Sequence, residues 1–271
     1  MKQLIKNYIQ KMPFIIDLYR KLTRLKWWYI DYNAGKKFQI ASIETMGQCN
    51  RVCGYCPVSK DDKRTGKITE ETFRKTVQQL KDYGFTGSLR FHFYNEPLLD
   101  KRLDEFIGYA RKELPKCEFN LFTNGDLLTE NRIKSLCDNG MDVITVSSHD
   151  EDSYNKVREV IKESKYAKHI YHKSMYNSNE LMNRGGIIDV PESNNGPSMK
   201  YGCLSVMSME ISYTGNIVLC CNDFYETTVL GSVHDDTIDN IWNSKKNSKL
   251  RKDIFFAQYD LEICKKCVGL F

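Results

Sequence analysis

The 271-residue sequence predicts an α/β protein with a parallel sheet. Short apolar segments alternate with amphipathic ones between residues 38 and 173, and Gly84 and Gly140 follow two of the amphipathic segments, where helices commonly end. Strands that alternate with helices pair in parallel, in a sheet that is open or curled into a barrel. The predicted strands are 38–45, 88–94, 117–122, 142–147 and 168–173, and the predicted helices are 69–83, 101–114, 129–139 and 152–163.

The first 30 residues have a different pattern, with apolar side chains at helical spacing and a break near Pro13. Lys and Arg side chains line the other face. This pattern predicts a pair of helices packed on the main domain. A helix that lies on a membrane surface is the alternative.

The chain changes character again near residue 190. Residues 189–198 are polar and rich in Gly, Pro and Asn, which is typical of a linker. Segments 207–212 and 216–219 flank Tyr213-Thr214-Gly215 and predict a β-hairpin. Residues 236–255 predict one last helix.

Composition and charge exclude several classes of protein. The formal net charge of +5 is too diffuse for nucleic-acid binding, and no apolar run reaches the roughly 18 residues of a membrane span. Charged residues interrupt the apolar stretches of the N-terminus, so it does not resemble a secretory signal, and we predict a cytoplasmic protein. Ten cysteines in a reducing compartment favour metal or redox chemistry over disulfides.

Three of these cysteines, Cys49, Cys53 and Cys56, lie within eight residues, shortly after the first predicted strand. Thiolate is the soft ligand that iron–sulfur clusters need, and three thiolates on a four-iron cluster leave one iron open to a small ligand. Structural zinc, which normally takes four protein ligands, is the alternative. The spacing therefore favours an iron–sulfur cluster with one open iron.

This C-x3-C-x2-C spacing, with the aromatic Tyr55 before the third cysteine, resembles the signature of the radical S-adenosylmethionine (SAM) superfamily. The resemblance implies a [4Fe–4S] cluster whose open iron chelates the amino and carboxylate groups of SAM. It also implies that one electron cleaves SAM into methionine and a 5′-deoxyadenosyl radical, which abstracts hydrogen from the substrate.

Further segments resemble the family in the same order along the chain. Residues 94–97, where Tyr94 and Asn95 replace two glycines, resemble the GGEP motif, and residues 122–125 resemble the TNG strand end. Most of these segments lie at carboxyl ends of predicted strands, where a barrel builds its active site. The resemblance implies that SAM is bound by Tyr55, Asn95, Glu96, Thr123, Asn124, Ser147 and Arg158.

A second set of cysteines, Cys203, Cys220, Cys264 and Cys267, lies in the last third of the chain. Four separated thiolates suit zinc or an iron–sulfur cluster equally. Their order, C…G-x4-C…C-x2-C, resembles the twitch domain, a shortened relative of the SPASM domain, and implies one auxiliary [4Fe–4S] cluster. A full SPASM domain has seven cysteines and two auxiliary clusters, whereas this chain ends four residues after Cys267.

The resemblance implies a partial (β/α)6 TIM-like barrel with a small C-terminal twitch domain made of a β-hairpin plus a helix. We place an N-terminal helical extension at residues 1–36, the radical SAM barrel at 37–195 and the twitch domain at 199–271. The expected cofactors are SAM and two [4Fe–4S] clusters, one that binds SAM and one auxiliary. The expected partners are a small-molecule substrate and an electron donor such as flavodoxin or ferredoxin.

The expected reaction is oxidation of a small polar substrate, a sugar or aminocyclitol-like alcohol, because an auxiliary cluster can accept an electron from the substrate radical. Two residues are catalytic candidates: Arg184, beside two glycines, as a clamp on polar substrate or on the SAM carboxylate, and Cys221. If Cys221 donates a hydrogen atom to the substrate radical, the protein is a radical epimerase. Two more functions are compatible with the sequence: modification of a ribosomally made peptide, and a zinc-stapled binding protein without catalytic activity.

Overall fold

A mixed sheet of eight strands forms the centre of the protein. The structure, a computed structural model, describes residues 13–61, 64–175, 182–190 and 201–270. The strands are β1 (Ile40–Ile43), β2 (Ser88–Arg90), β3 (Glu118–Thr123), β4 (Val143–Ser148), β5 (Ile170–Ser174), β6 (Ser208–Ile211), β7 (Asn216–Val218) and β8 (Val229–Ser232). They are ordered β5-β4-β3-β2-β1-β6-β7-β8, with parallel pairing from β5 to β6 and antiparallel pairing from β6 to β8. The predicted α/β class with a parallel sheet is confirmed.

Strand β1 lies inside the sheet and pairs in parallel with β2 on one edge and with β6 on the other. Ala41, Ser42 and Ile43 are all buried, as expected for a strand covered on both faces. The sixth parallel strand is therefore β6, the first strand of the predicted hairpin. The hairpin continues the main sheet, so the C-terminal segment is joined to the barrel by backbone hydrogen bonds.

The helices lie between and after the strands. They are α1 (Pro13–Lys26), α2 (Glu70–Asp82), α3 (Leu103–Glu113), α4 (Glu130–Asp138), α5 (Glu151–Glu163), α6 (Ile238–Asn243), α7 (Lys245–Phe255) and α8 (Glu262–Val268). The predicted single helix 236–255 is two helices. Ser244 between them has extended backbone (φ −55°, ψ 144°), and its hydroxyl accepts a hydrogen bond from the Asn247 N–H and so caps α7.

The N-terminal helix α1 begins at the predicted break, and the residues before it lie outside the described part of the chain, as does most of the predicted linker. A π-helical turn, Trp27–Asp31, continues α1. The indole of Trp28 packs on Phe255 at the end of α7, with ring centroids 5.1 Å apart. None of the helices in the described ranges is both long and apolar enough to cross a membrane.

A buried ion pair lies directly after β1. Glu44 is fully buried, and the Arg64 guanidinium donates to its carboxylate at 2.5 Å. The same carboxylate accepts the Tyr94 N–H at 3.1 Å, and Arg64 also donates to the Phe224 carbonyl at 2.6 Å. Burial raises the pKa of Glu44 to about 7, against the opposing effect of the Arg64 charge. The pair therefore joins the ends of β1 and β2 to the loop after β7.

Replacement of Arg64 by Met is expected to destabilise the protein by about 3 to 5 kcal/mol at pH 8, because it leaves the Glu44 carboxylate buried without its cation. The loss should shrink towards pH 5, since a carboxyl with a raised pKa takes up a proton as the pH falls through that pKa, and the proton removes the buried charge. Urea denaturation at both pH values measures this. The control is the double variant Arg64→Met/Glu44→Gln, in which no bare charge remains. Equal losses for the single and double variants at pH 8 would contradict the expectation.

Candidate active site

A cavity of about 330 Å³ lies at the carboxyl ends of the parallel strands β1 to β5. Its lining brings together the three cysteines of the first set, six of the seven predicted SAM-binding residues and both catalytic candidates. These residues are Cys49, Cys53, Cys56, Tyr55, Asn95, Glu96, Thr123, Asn124, Ser147, Arg184 and Cys221. A larger cleft of about 1010 Å³ lies at the opposite ends of β1 to β3, and no cysteine is among its lining residues in the described part of the chain.

Arg158 is the predicted SAM-binding residue that the structure places elsewhere. It lies on α5 with its side chain 60% exposed, 3.6 Å from the Glu159 carboxylate. It is not among the described residues that line the cavity. A role for Arg158 at SAM stays a prediction.

Glu96 joins the ends of β2 and β3 at this cavity. Its carboxylate accepts the Thr123 hydroxyl at 2.7 Å, the Asn124 N–H at 2.8 Å and the Leu98 N–H at 3.0 Å. Burial raises the pKa of Glu96, and these donors oppose the rise by stabilising the carboxylate. The side chain therefore fixes the position of the Thr123–Asn124 segment.

The loop that carries the first three cysteines is held by Arg51. Its guanidinium donates to both oxygens of Asp126 at 2.6 Å, and to Asp150 at 2.6 Å. A hydrogen bond from the Ser153 N–H and the contacts with Arg51 lower the pKa of Asp150 to about 2, so this carboxyl is ionised at neutral pH. Asp126 follows β3 and Asp150 follows β4, so Arg51 ties the cysteine loop to two neighbouring loops. Sequence reasoning missed this clamp, although the signal was present as an arginine inside the motif and acids after two strand ends.

Two histidines also line the cavity. The Tyr55 hydroxyl contacts Nδ1 of His149. Nδ1 of His92 is buried and has no hydrogen-bond partner among the described residues, and burial lowers the pKa of His92 to about 3. His92 is therefore a neutral imidazole near neutral pH, able to hydrogen-bond a hydroxyl group. The sequence alone did not single it out.

The second set of cysteines comes together in a separate, smaller cavity. Cys203, Cys220, Cys264 and Cys267 all line it, with Tyr259 and Ile263 between them. Cys264 and Cys267 lie one helical turn apart on α8, a helix that the sequence analysis did not predict. The structure thus assembles the four thiols that the C-terminal pattern suggested.

The turn that carries Arg184 connects the two cavities. Arg184, Gly185 and Gly186 have φ values of 51°, 68° and 84°, and an added Cβ at Gly186 would come within 2.9 Å of Lys266 on α8. Arg184 lines the cavity of the first three cysteines and donates to the Asn222 side chain at 3.4 Å. The Asn222 amide lies 3.5 Å from the Cys267 sulfur in the second cavity. Two hydrogen bonds therefore lead from one cavity to the other.

Both thiol sets fit iron–sulfur clusters. The first cavity holds the sulfurs of Cys49, Cys53 and Cys56, with Cys221 beside them, and the second holds four cysteine sulfurs. Within the described ranges, no group of three or more His, Cys, Asp or Glu side chains is drawn tightly enough to hold a single metal ion.

Comparison with known families defines the class of protein. The model of the radical SAM superfamily matches residues 43–183, and that of the SPASM iron–sulfur cluster-binding domain matches residues 203–268. The chain belongs to the radical SAM superfamily. It is a radical SAM oxidoreductase, and its cofactors are SAM and iron–sulfur clusters. The zinc-stapled binding protein is not the function that these matches support.

Particular relatives share most of the chain. It is 32% identical over 241 residues to the S-adenosyl-L-methionine-dependent 2-deoxy-scyllo-inosamine dehydrogenase of Niallia circulans, which covers 86% of this chain and 93% of that protein. The crystal structure of BtrN in complex with AdoMet and 2-DOIA superposes with a TM-score of 0.76 at 30% identity, over 85% of this chain and 92% of that one. The structure of native anSMEcpe with bound AdoMet shares the fold, with a TM-score of 0.58 at 16% identity, over 80% of this chain and 84% of that one.

Loss of the Arg51 clamp is expected to loosen the loop that carries Cys49, Cys53 and Cys56. With two [4Fe–4S] clusters the wild type holds about eight irons per chain after anaerobic reconstitution, and the triple variant Cys49/Cys53/Cys56→Ala about four. Arg51→Leu should fall towards four after desalting, because the cysteine loop loses its contacts with Asp126 and Asp150. The control is Arg74→Leu on α2, which removes ion pairs with Glu70 on the same helix and with Glu105 on α3. Wild-type iron content in Arg51→Leu would show that the clamp does not hold the site.

Proposed function

We propose that the protein is a SAM-dependent dehydrogenase that oxidises a secondary alcohol of an aminocyclitol or similar sugar-like polyol. The observation that carries the proposal is the connection from the first cavity through Arg184 and Asn222 to Cys267 of the second thiol set. A dehydrogenase needs its substrate cavity close to an electron acceptor, because the substrate radical has to give up one more electron. The relative that acts on 2-deoxy-scyllo-inosamine, by its name, matches this chain over 93% of its own length.

The proposal also gives each cofactor a place among the cysteines, as follows. Cys49, Cys53 and Cys56 hold the cluster that binds SAM, and Cys203, Cys220, Cys264 and Cys267 hold the auxiliary cluster. When bound, the first cluster and SAM supply a 5′-deoxyadenosyl radical that removes hydrogen from the substrate, and the auxiliary cluster supplies an electron acceptor. A flavodoxin or a ferredoxin supplies the electron that starts each turnover.

The protein's own side chains position SAM and substrate. The Glu96 carboxylate already accepts hydrogen bonds from Thr123 and Asn124. Its role is therefore to hold these two residues against SAM, since it does not extend freely into the cavity. Asn95, Tyr55 and Ser147 line the rest of the part of the cavity that we assign to SAM.

On the substrate side lie Arg184, His92 and Lys173, which together offer donors and an acceptor to the hydroxyl groups of a polyol. Arg184 fixes one substrate oxygen next to the Asn222 connection. The strained turn at its base limits its movement.

The dehydrogenase reaction predicts one 5′-deoxyadenosine for each ketone formed from 2-deoxy-scyllo-inosamine or a related polyol. Deuterium placed on the oxidised carbon should appear in 5′-deoxyadenosine, because that hydrogen leaves as an atom. Both products are measured by mass spectrometry after anaerobic turnover. The double variant Cys264→Ala/Cys267→Ala should retain SAM cleavage and lose ketone formation. Ketone formed at the wild-type rate by this variant would rule out the auxiliary cluster as the acceptor.

A second function, radical epimerisation, is favoured by one observation. Cys221 lines the same cavity as the first three cysteines, whereas its neighbour Cys220 lines the second cavity. A thiol there can return a hydrogen atom to the substrate radical and form a thiyl radical, which one electron from the donor protein and one proton restore to the thiol.

Cys221→Ala distinguishes the two functions. If Cys221 is the hydrogen donor, this variant should still cleave SAM but yield no epimer, and wild-type turnover in D2O should place one deuterium on the inverted carbon. A dehydrogenase should retain ketone formation in Cys221→Ala. Wild-type product formation by this variant would exclude the epimerase.

A further inference from the structure

Helix α1 and the turn after it have two opposite faces. The inner face packs on the protein: the Arg24 guanidinium donates to the Gly202 carbonyl at 2.5 Å and lies 5.1 Å above the Phe255 ring, and Trp28 is only 3% exposed. These contacts fix the direction of the helix. The outer face then points away from the domain.

The outer face is apolar, which is the reverse of an ordinary surface helix. Phe14 is 77% exposed and Tyr19 is 69% exposed. Half of the exposed large apolar side chains in the described part of the chain lie in residues 14–30. A contiguous apolar patch of this kind marks an interaction surface. The exposed side chains of this outer face are Phe14, Ile15, Leu18, Tyr19, Leu22, Leu25, Tyr29 and Ile30.

The positive charge of the protein is concentrated in the first 30 residues of the sequence, which include α1. Residues 1–30 contain seven Lys or Arg residues and one Asp, a net charge of +6, whereas the whole chain has +5 and residues 31–271 therefore have −1. Within α1, Lys21 and Lys26 are exposed, each next in sequence to a leucine of the outer face, and Lys21 pairs with Asp17 at 2.8 Å. Their long side chains can keep the ammonium groups in water while the apolar face is buried.

We propose that the outer face of α1 docks the enzyme on an anionic lipid surface, with the helix in the plane of the headgroups. An apolar stripe with aromatic side chains, flanked by lysines, is the pattern of helices that lie in a membrane interface. The charge of residues 1–30 favours lipid over a second copy of the chain as the partner of the outer face. Two copies would bring two segments of +6 together, which is unfavourable, whereas anionic headgroups neutralise the charge of one segment. This surface is separate from the SAM cavity and independent of the substrate.

Vesicle sedimentation of the reconstituted 271-residue enzyme tests the proposal. We expect binding to phosphatidylcholine vesicles that contain phosphatidylglycerol, weaker binding to phosphatidylcholine alone, and release at raised salt. Leu18→Ser/Leu22→Ser should weaken binding by about tenfold or more, because two exposed leucines no longer enter the lipid. The matched control is Tyr171→Ser/Val229→Ser, which removes two exposed apolar side chains elsewhere and should bind as the wild type does. SAM cleavage by each variant confirms that it is folded.

Three outcomes would overturn the proposal. The first is a wild type that does not sediment with either kind of vesicle. The second is a Leu18→Ser/Leu22→Ser variant that binds as tightly as the wild type. The third is a wild-type dimer in analytical ultracentrifugation that fails to bind vesicles and becomes a monomer in this variant, which would assign the outer face to a second copy of the chain.

Discussion

The buried ion pair of Glu44 and Arg64 is the interaction on which the rest of the structure depends. A fully buried carboxylate requires a cation and further donors, and here each of these comes from a different part of the chain. Arg64 follows the first cysteine loop, the Tyr94 N–H belongs to the end of β2, and the Phe224 carbonyl that Arg64 also reaches belongs to the loop after β7. This ion pair therefore joins the barrel to the C-terminal segment beside the active site.

The single sheet also joins the barrel to the C-terminal segment, through backbone hydrogen bonds. Because β6 pairs with the outer edge of β1, the C-terminal segment cannot move as an independent body without breaking parallel hydrogen bonds. The turn at Arg184 then rests on α8, through Gly186 against Lys266 and through the Asn183 amide, which donates to the Lys266 carbonyl. The distance between the two thiol sets is thus set by elements that are hydrogen-bonded to one another.

Much of the candidate site could be predicted from local sequence. Cysteine spacing is local, and polar residues after consecutive parallel strands meet at one edge of a sheet, so Thr123, Asn124 and Ser147 line one cavity. Arg158 was different: its helix position gives several possible directions for the side chain, and the structure turns it to solvent beside Glu159. The break of the last helix at Ser244 was missed because a serine is tolerated inside a helix and becomes a cap only when packing demands a bend.

The sequence by itself determined which groups are present and which strand ends carry them: two thiol sets, a strand–helix alternation, and an N-terminal segment both apolar and basic. These are properties of short windows, where spacing and hydrophobic period decide. Only the tertiary structure decided that β6 extends the main sheet, that Arg51 clamps three loops, that Cys221 and Cys220 face different cavities, and that α1 turns its apolar face outward. Each of these depends on contacts between residues distant in sequence, and such contacts are fixed only when the whole core packs.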